Sequence, residues 1–332
     1  MTTIRTRHPR RAARTLSVLA ATATLALAAC GSDGDGAVAD TPDGTTTAAT
    51  TEVPATAAPG AAAPETAADT SDSDVPGRVV SLSPTHTEIL FAIDAGDLLV
   101  AVDEFSNHPP RALELPDELS GFEPNVEAIA GYEPDLVVIG GDFTGLGEQL
   151  DALGIAWWDG PAALTIDDTY QQIEDLGAIT GNEAEAGALV AEMQSSIDEI
   201  VAATPVPEEP LSFYHELDPT YFSADSTTFI GAVYSLLGLQ NIADSAEGDA
   251  GGFPQLNAEF IVSADPDLIF LADTKCCGES AQTVASRPGW EDLTAVVDGN
   301  VIEMDDDVAS RWGPRIVDYL ADVSAAVVAT QS

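Results

Sequence analysis

The chain has 332 residues, and its 56 acids against 11 lysines and arginines give a net charge of −45 at pH 7. Every acid lies beyond position 30, where only Arg78, Arg111, Lys275, Arg287, Arg311 and Arg315 oppose them, so that portion carries −50. Such a surface repels phosphate backbones and excludes nucleic acid as a partner; it reads as a solvated acidic exterior suited to salty surroundings.

In chain order, Arg5, Arg7, Arg10, Arg11 and Arg14 precede an apolar run from Leu16 to Ala29. That run is too short to span a bilayer, so residues 1–29 read as a signal peptide. The pair Arg10-Arg11 leaves open whether export is general or twin-arginine. Leu27-Ala28-Ala29 before Cys30 resembles a lipobox, which makes Cys30 the lipidated residue of the mature chain. Residues 30–76, rich in Ala, Thr, Asp, Gly and Pro, lack the apolar content to fold and are expected to be a disordered tether. Fully extended, it would reach on the order of 150 Å. The expected location is the outer face of the cell membrane, with the lipid as the sole membrane contact.

The body then alternates strands and helices. Strand Arg78–Leu82 leads through Ser83-Pro84-Thr85-His86 to a helix, with Thr85 and Glu88 in capping-box spacing. Strands are predicted at Leu98–Val102 and Ile155–Trp158, and in the second half at Leu211–His215, Asn241–Ala243, Leu268–Asp273 and Val301–Met304, with a helix near Thr228–Leu237. The segment from Asn125 to Ile139 (NVEAIAGYEPDLVVI) lies in register, without a gap, on Asn257 to Leu271 (NAEFIVSADPDLIFL). Each copy reads as a short helix, a Pro-Asp turn and a buried strand, so the two halves are duplicates. From Glu183 to Ala203, apolar residues at Leu189, Met193, Ile197 and Ile200 fall at helical spacing, and Thr204-Pro205 ends the run. The predicted fold is α/β: two parallel-sheet lobes (77–181 and 205–332) joined by one long helix within 182–204, which limits hinge motion.

Ligands of open parallel sheets bind beyond the carboxyl ends of the strands. Those loops here are 83–87, 104–110, 140–145, 216–228, 274–278 and 305–312. They hold Phe105, Phe143, Tyr221, Phe222, Trp312, Arg311, His86 and His108, with His215 at the end of the strand before one of them. Such a set suits a large, flat or partly anionic organic ligand rather than a sugar or a bare ion.

Val79-Val-Ser-Leu-Ser-Pro-Thr-His-Thr-Glu-Ile-Leu90 resembles the opening of the iron-complex and cobalamin solute-binding proteins of ABC importers. Phe105-Ser-Asn-His-Pro-Pro110 and Arg311-Trp-Gly-Pro-Arg315 resemble that family's second-strand loop and final helix start. The resemblance implies a monomer that passes its ligand to permease and ATPase subunits, docking through one surface glutamate per lobe. The matching residues are Glu127 and Glu259, the pair that the internal repeat had already aligned. It also implies a cleft lined by aromatics, with Phe105 and Phe253 at matching positions. Gly121 and Gly140 stand where a cobalamin binder would carry tryptophans, and Arg311 stands where a basic contact to a ferric chelate is placed. The expected ligand is therefore a ferric siderophore, with cobalamin or haem as alternatives, and the expected ligand contacts are His86, Phe105, Phe143, Tyr221, Phe253, Arg311 and Trp312.

His86, His108 and His215 each fall at a strand end. A metal cage, or haem held by a histidine or Tyr221, is the competing reading; the aromatic crowding of the same loops speaks against a compact cage. No metal and no resident cofactor are assigned. Cys276-Cys277, at the cleft mouth, can close an eight-membered vicinal disulfide in an oxidising compartment; free thiols remain the alternative. The chain lacks a G-x-S-x-G elbow and a G-x-x-x-x-G-K-[ST] loop, and no nucleophile neighbours His215-Glu216, so no enzymatic activity is expected.

Overall fold

The computed structural model of the protein describes residues 75–246 and 251–331. The signal segment, the candidate lipid site Cys30 and the tether up to residue 74 lie outside the described residues. The first half runs β1 (Val79–Leu82), α1 (Pro84–Ala92), β2 (Leu99–Val102), α2 (Val126–Ala130), β3 (Leu136–Ile139), α3 (Leu146–Leu153) and β4 (Ala156–Asp159). Helices α4 (Ile166–Thr180) and α5 (Glu183–Ala203) follow. The second half runs β5 (Ser212–Glu216), α6 (Phe229–Ser235), β6 (Gln240–Asn241), α7 (Ala258–Ala264), β7 (Leu268–Leu271) and α8 (Thr274–Cys277). It ends with α9 (Ala281–Ala285), α10 (Thr294–Val297), β8 (Val301–Glu303), α11 (Asp306–Ala309) and α12 (Ile316–Ala329).

Each half is a four-stranded parallel sheet, ordered β2-β1-β3-β4 and β6-β5-β7-β8. Helices cover both faces, which is why β1, β3 and β7 are buried at every position. The repeated residues do equivalent work in both lobes. Asn125 and Asn257 are the N-caps of α2 and α7, and their side chains accept backbone N–H bonds from the first turn. Asp135 accepts from the backbone N–H of Gly77 at 2.9 Å, and Asp267 from that of Ser212 at 2.7 Å. Each thus ties the turn before one central strand to the start of the strand beside it.

Helix α5 spans 21 residues, about 30 Å, and packs on α4 and α12. It buries Ala186, Val190, Met193 and Ile197, with Leu189 and Ile200 at the margin. The two sheets share a core. One apolar cluster runs from Val79, Leu90 and Val138 through Ile173, Met193 and Ile197 to Phe213, Tyr234, Phe270 and Tyr319. Only the outer faces keep separate clusters, around Ile129 and Leu150 in one lobe and Ile261 and Trp290 in the other.

Several local expectations are corrected. Thr85 and Glu88 do not form a capping box: the helix starts at Pro84 after an extended Ser83, and no side chain caps it. Proline at the first position supplies the helical φ and lacks an N–H that would otherwise go unpaired, and Glu88 is instead buried among arginines. Strand ends shift by one or two residues, and β6 stops at Asn241 because that side chain caps a 3₁₀ turn over Ile242–Ser245. No described helix is long and apolar enough to cross a membrane.

Candidate functional site

A cleft of about 570 Å³ opens beyond the carboxyl ends of the first sheet. Its floor is Leu82 and Ser83 after β1 and Asp103 after β2. Phe105, Gly121, Phe122, Gly140, Gly141 and Phe143 form one side, and Asp307, Ser310, Arg311 and Trp312 come across from the second half. Phe143 is 86 % exposed and Phe122 75 %, so large apolar rings are held out in water around one concavity. Phe105 and Phe122 meet edge to face, with centroids 5.7 Å apart.

Two glycines shape this wall. Gly141 sits at φ +118°, and a Cβ there would fall 2.4 Å from the Phe143 ring, so the ring lies directly over bare backbone. At Gly121 a Cβ would approach the Leu82 carbonyl oxygen to 2.4 Å. No side chain of any size fits there, so the absence of a tryptophan is enforced by the close pass of two backbone segments.

The opposite wall is rigid for a different reason. Glu88 is 3 % exposed and holds two arginines from the other half of the chain. Arg311 Nη1 donates to Glu88 Oε1 at 2.7 Å and to Asn107 Oδ1 at 2.9 Å; its Nη2 donates to the Phe105 carbonyl at 2.9 Å and to Asp307 Oδ1 at 2.8 Å. Arg315 closes the other side of Glu88 at 2.8 and 2.6 Å. Arg311 therefore lines the cleft with its terminal N–H groups already committed. It is not the open anion contact expected from the sequence, because a buried Glu88 needs both guanidinium groups.

Trp312 also lines the cleft, and its Nε1 donates to Gln172 Oε1 at 3.0 Å. The same oxygen lies 2.9 Å from His86 Nε2, while Gln172 Nε2 donates to the Pro161 carbonyl. This orientation makes His86 Nε2 the protonated nitrogen. His86 is fully buried behind Trp158 and Trp312 and does not line the cleft, contrary to expectation. Burial lowers it to about pKa 4, partly opposed by the Gln172 bond. Its part is to position Trp312.

The remaining expected contacts separate. Tyr221 stacks on Trp290 at 5.8 Å, beneath the Arg287 guanidinium, and neither it nor Phe253 lines the cleft. Loops 216–228 and 274–278 are thus not part of the wall, whereas the other four strand-end loops are. His215 is buried against the Tyr234 hydroxyl and lowered by that burial to about pKa 3, and His108 is lowered by burial and then by Arg315. Among the described residues, no group of His, Cys, Asp or Glu is arranged to hold a metal ion. Sequence reading missed Phe122, Asp103 and Gln172. Phe122 had a signal, an aromatic between Gly121 and Pro124; the other two had none.

Cys276 and Cys277 are joined by a vicinal disulfide at the exposed end of α8. The backbone N–H groups of Thr274, Lys275 and Cys276 all donate to the Asp306 carboxylate, and Lys275 Nζ reaches Asp305 and Asp307. That turn is thereby fastened to the segment carrying Arg311 and Trp312. Glu127 and Glu259 are exposed second residues of α2 and α7, and neither side chain has a partner among the described residues.

With the cleft and duplicated lobes in place, comparison with known proteins is direct. The periplasmic binding protein profile matches residues 79–308. The chain belongs to the periplasmic binding protein family. This binding protein is therefore a solute carrier component and not an enzyme. It is 32 % identical over 265 residues to the cobalamin-binding protein of Halobacterium salinarum, spanning 77 % of this chain and 70 % of that one. It is 29 % identical over 274 residues to an uncharacterized ABC transporter substrate-binding lipoprotein of Bacillus subtilis, spanning 78 % and 84 %. The crystal structure of the periplasmic vitamin B12 binding protein of Vibrio cholerae superposes with a TM-score of 0.64 at 26 % identity, covering 77 % of this chain and 99 % of that one.

Proposed function

We propose that this chain is the lipid-anchored solute-binding component of an ABC importer and that its cleft holds cobalamin. The observation that carries the ligand is the character of the walls: exposed phenylalanines and Trp312 face a space in which the four terminal N–H groups of the lining arginine are engaged by protein. An anionic ferric chelate or a haem propionate needs an open cation, and the sequence-based preference for a siderophore rested on Arg311 supplying it. Cobalamin, a flat macrocycle fringed by uncharged carboxamides, needs stacking surface instead. The 32 % identical relative named as a cobalamin-binding protein supports the same choice.

Delivery is assigned to Glu127 and Glu259, which occupy the same place in both lobes and project without partners among the described residues. Charge reversal of both is expected to abolish uptake and leave ligand affinity intact. Anchoring is assigned to Cys30; the Bacillus subtilis relative is likewise named a lipoprotein. The ligand is tested by titrating intrinsic tryptophan fluorescence with cyanocobalamin, ferric siderophores and haem. Saturable quenching by cyanocobalamin alone is expected. Tight binding of a ferric siderophore or haem with no response to cyanocobalamin would overturn the ligand assignment.

A further inference from the structure

Asp103 ends β2 and lines the floor of the cleft, yet it is only 1 % exposed. Its Oδ1 lies 2.5 Å from Ser106 Oγ, which lies 2.8 Å from Thr87 Oγ1. Thr87 Oγ1 lies 2.9 Å from Ser81 Oγ, which lies 3.2 Å from the Ser83 carbonyl oxygen. These are four hydrogen-bond links in a row, and all three hydroxyl residues are buried. Each hydroxyl supplies one hydrogen. The carbonyl at the far end can only accept. If Asp103 is ionised it also only accepts, and three hydrogens must fill four links, leaving two oxygens facing each other without a proton. A proton on Asp103 Oδ1 fills every link, running from Asp103 to Ser106, Thr87, Ser81 and the Ser83 carbonyl in one direction.

The electrostatic surroundings agree. Burial is the largest influence on Asp103 and raises it to about pKa 6; the Ser106 bond and the Arg311 charge oppose this, and neighbouring Glu104 adds to it. Arg311 is itself neutralised by Glu88 and Asp307, so it does not hold Asp103 ionised.

We propose that Asp103 is a specificity-determining residue of the cleft, a neutral carboxylic acid that closes the floor under an uncharged ligand and takes up a proton from solvent when ligand seats on the ionised form. The inference rests on reading the cleft as the ligand site. A large uncharged ligand excludes the remaining water from the floor, which disfavours charge on Asp103 further. The balance is one proton gained by the carboxylate for each ligand bound above the titration midpoint, and no net proton below it. The floor consequently offers no counter-charge to a cationic ligand at low pH and discriminates against an uncharged or anionic ligand that covers it at high pH.

The experiment compares the full chain with Asp103→Asn, whose amide N–H can donate to Ser106 as the neutral acid does. Cyanocobalamin affinity of the wild type, read by tryptophan quenching, should weaken about a hundredfold between pH 5 and pH 8, one decade per pH unit above the midpoint. The variant should change less than twofold across that range. Equal pH dependence in both proteins overturns the proposal. A second measurement needs no ligand: carbon NMR of the carboxyl groups, with the Asp103 resonance identified by its loss in the variant. A midpoint near pH 6 is expected, and a midpoint at or below pH 4 overturns the neutral floor. If neither protein binds cyanocobalamin at any pH while the midpoint stays near 6, the cobalamin reading fails and the neutral floor stands.

Discussion

The two lobes repeat one topology but balance their buried charge in opposite ways. In the first, one buried carboxylate, Glu88, is shared by Arg311 and Arg315, and the less buried Asp307 also meets Arg311. In the second, a single guanidinium, Arg287, meets Glu216 at 2.5 and 2.6 Å and Glu279 at 2.8 Å. Asp273 is fully buried nearby, with neither carboxyl oxygen bonded. Burial, then the neighbouring Glu216, pushes Asp273 up to about pKa 7. The first site shares one buried acid between two arginines, whereas the second sets several acids around one arginine. The first arrangement builds a wall of the cleft; the second stiffens a lobe that contributes little to it.

The sharpest way to break this comparison is Glu88→Gln, which leaves Arg315 without its buried carboxylate and Arg311 with Asp307 alone. A loss of about 3–5 kcal/mol is expected in denaturant unfolding. Glu216→Gln removes an equally buried acid, but Arg287 keeps Glu279 and gains an ionised Asp273, so about 1.5 kcal/mol is expected. Similar losses for the two variants would mean that the acidic excess gives no redundancy. For the cleft, Phe143→Ala should weaken cyanocobalamin about tenfold, or ~1.4 kcal/mol, with melting unchanged, whereas Tyr221→Ala and Phe253→Ala should alter affinity less than twofold. Reversal of that order would move the site to the second lobe.

A smaller effect concerns pH. Asp273 titrates near 7 in the folded protein and near 3.9 when unfolded. The folded state therefore binds more protons between those values, and stability falls as pH rises through that window. Asp273→Asn removes this liability, so its gain in melting temperature over the wild type should be largest at pH 8 and vanish by pH 4. The smallest effect is expected from changing Cys276 and Cys277 together to serine. A ring closed between adjacent residues restricts almost none of the unfolded chain, and the loss should stay below about 0.5 kcal/mol.

How much was legible beforehand follows from the range of each interaction. The strands, α5 and the duplication were readable because apolar periodicity and Asn, Glu, Pro and Asp in register are local signals. Phe105, Phe143 and Trp312 were readable as cleft residues because strand-end loops have a fixed place in this topology. The role of Glu88 was not, since its partners lie 223 and 227 residues away, and nothing near Thr85 hints that the capping spacing is idle. His86 and Tyr221 were misplaced for a related reason. A strand-end position says where the backbone is, and the side chain turned inward toward Gln172 in one case and Trp290 in the other. Asp103 gave no signal because its hydroxyl partners come from two separate segments, 81–87 and 103–106.

The distance between Glu88 and its arginines also has a bearing on when the protein can fold. While the segment bearing Arg311 and Arg315 is missing, sealing the first sheet would bury an uncompensated carboxylate, at a cost of several kcal/mol. The ion cluster therefore couples closure of the first sheet to the arrival of the segment bearing Arg311 and Arg315.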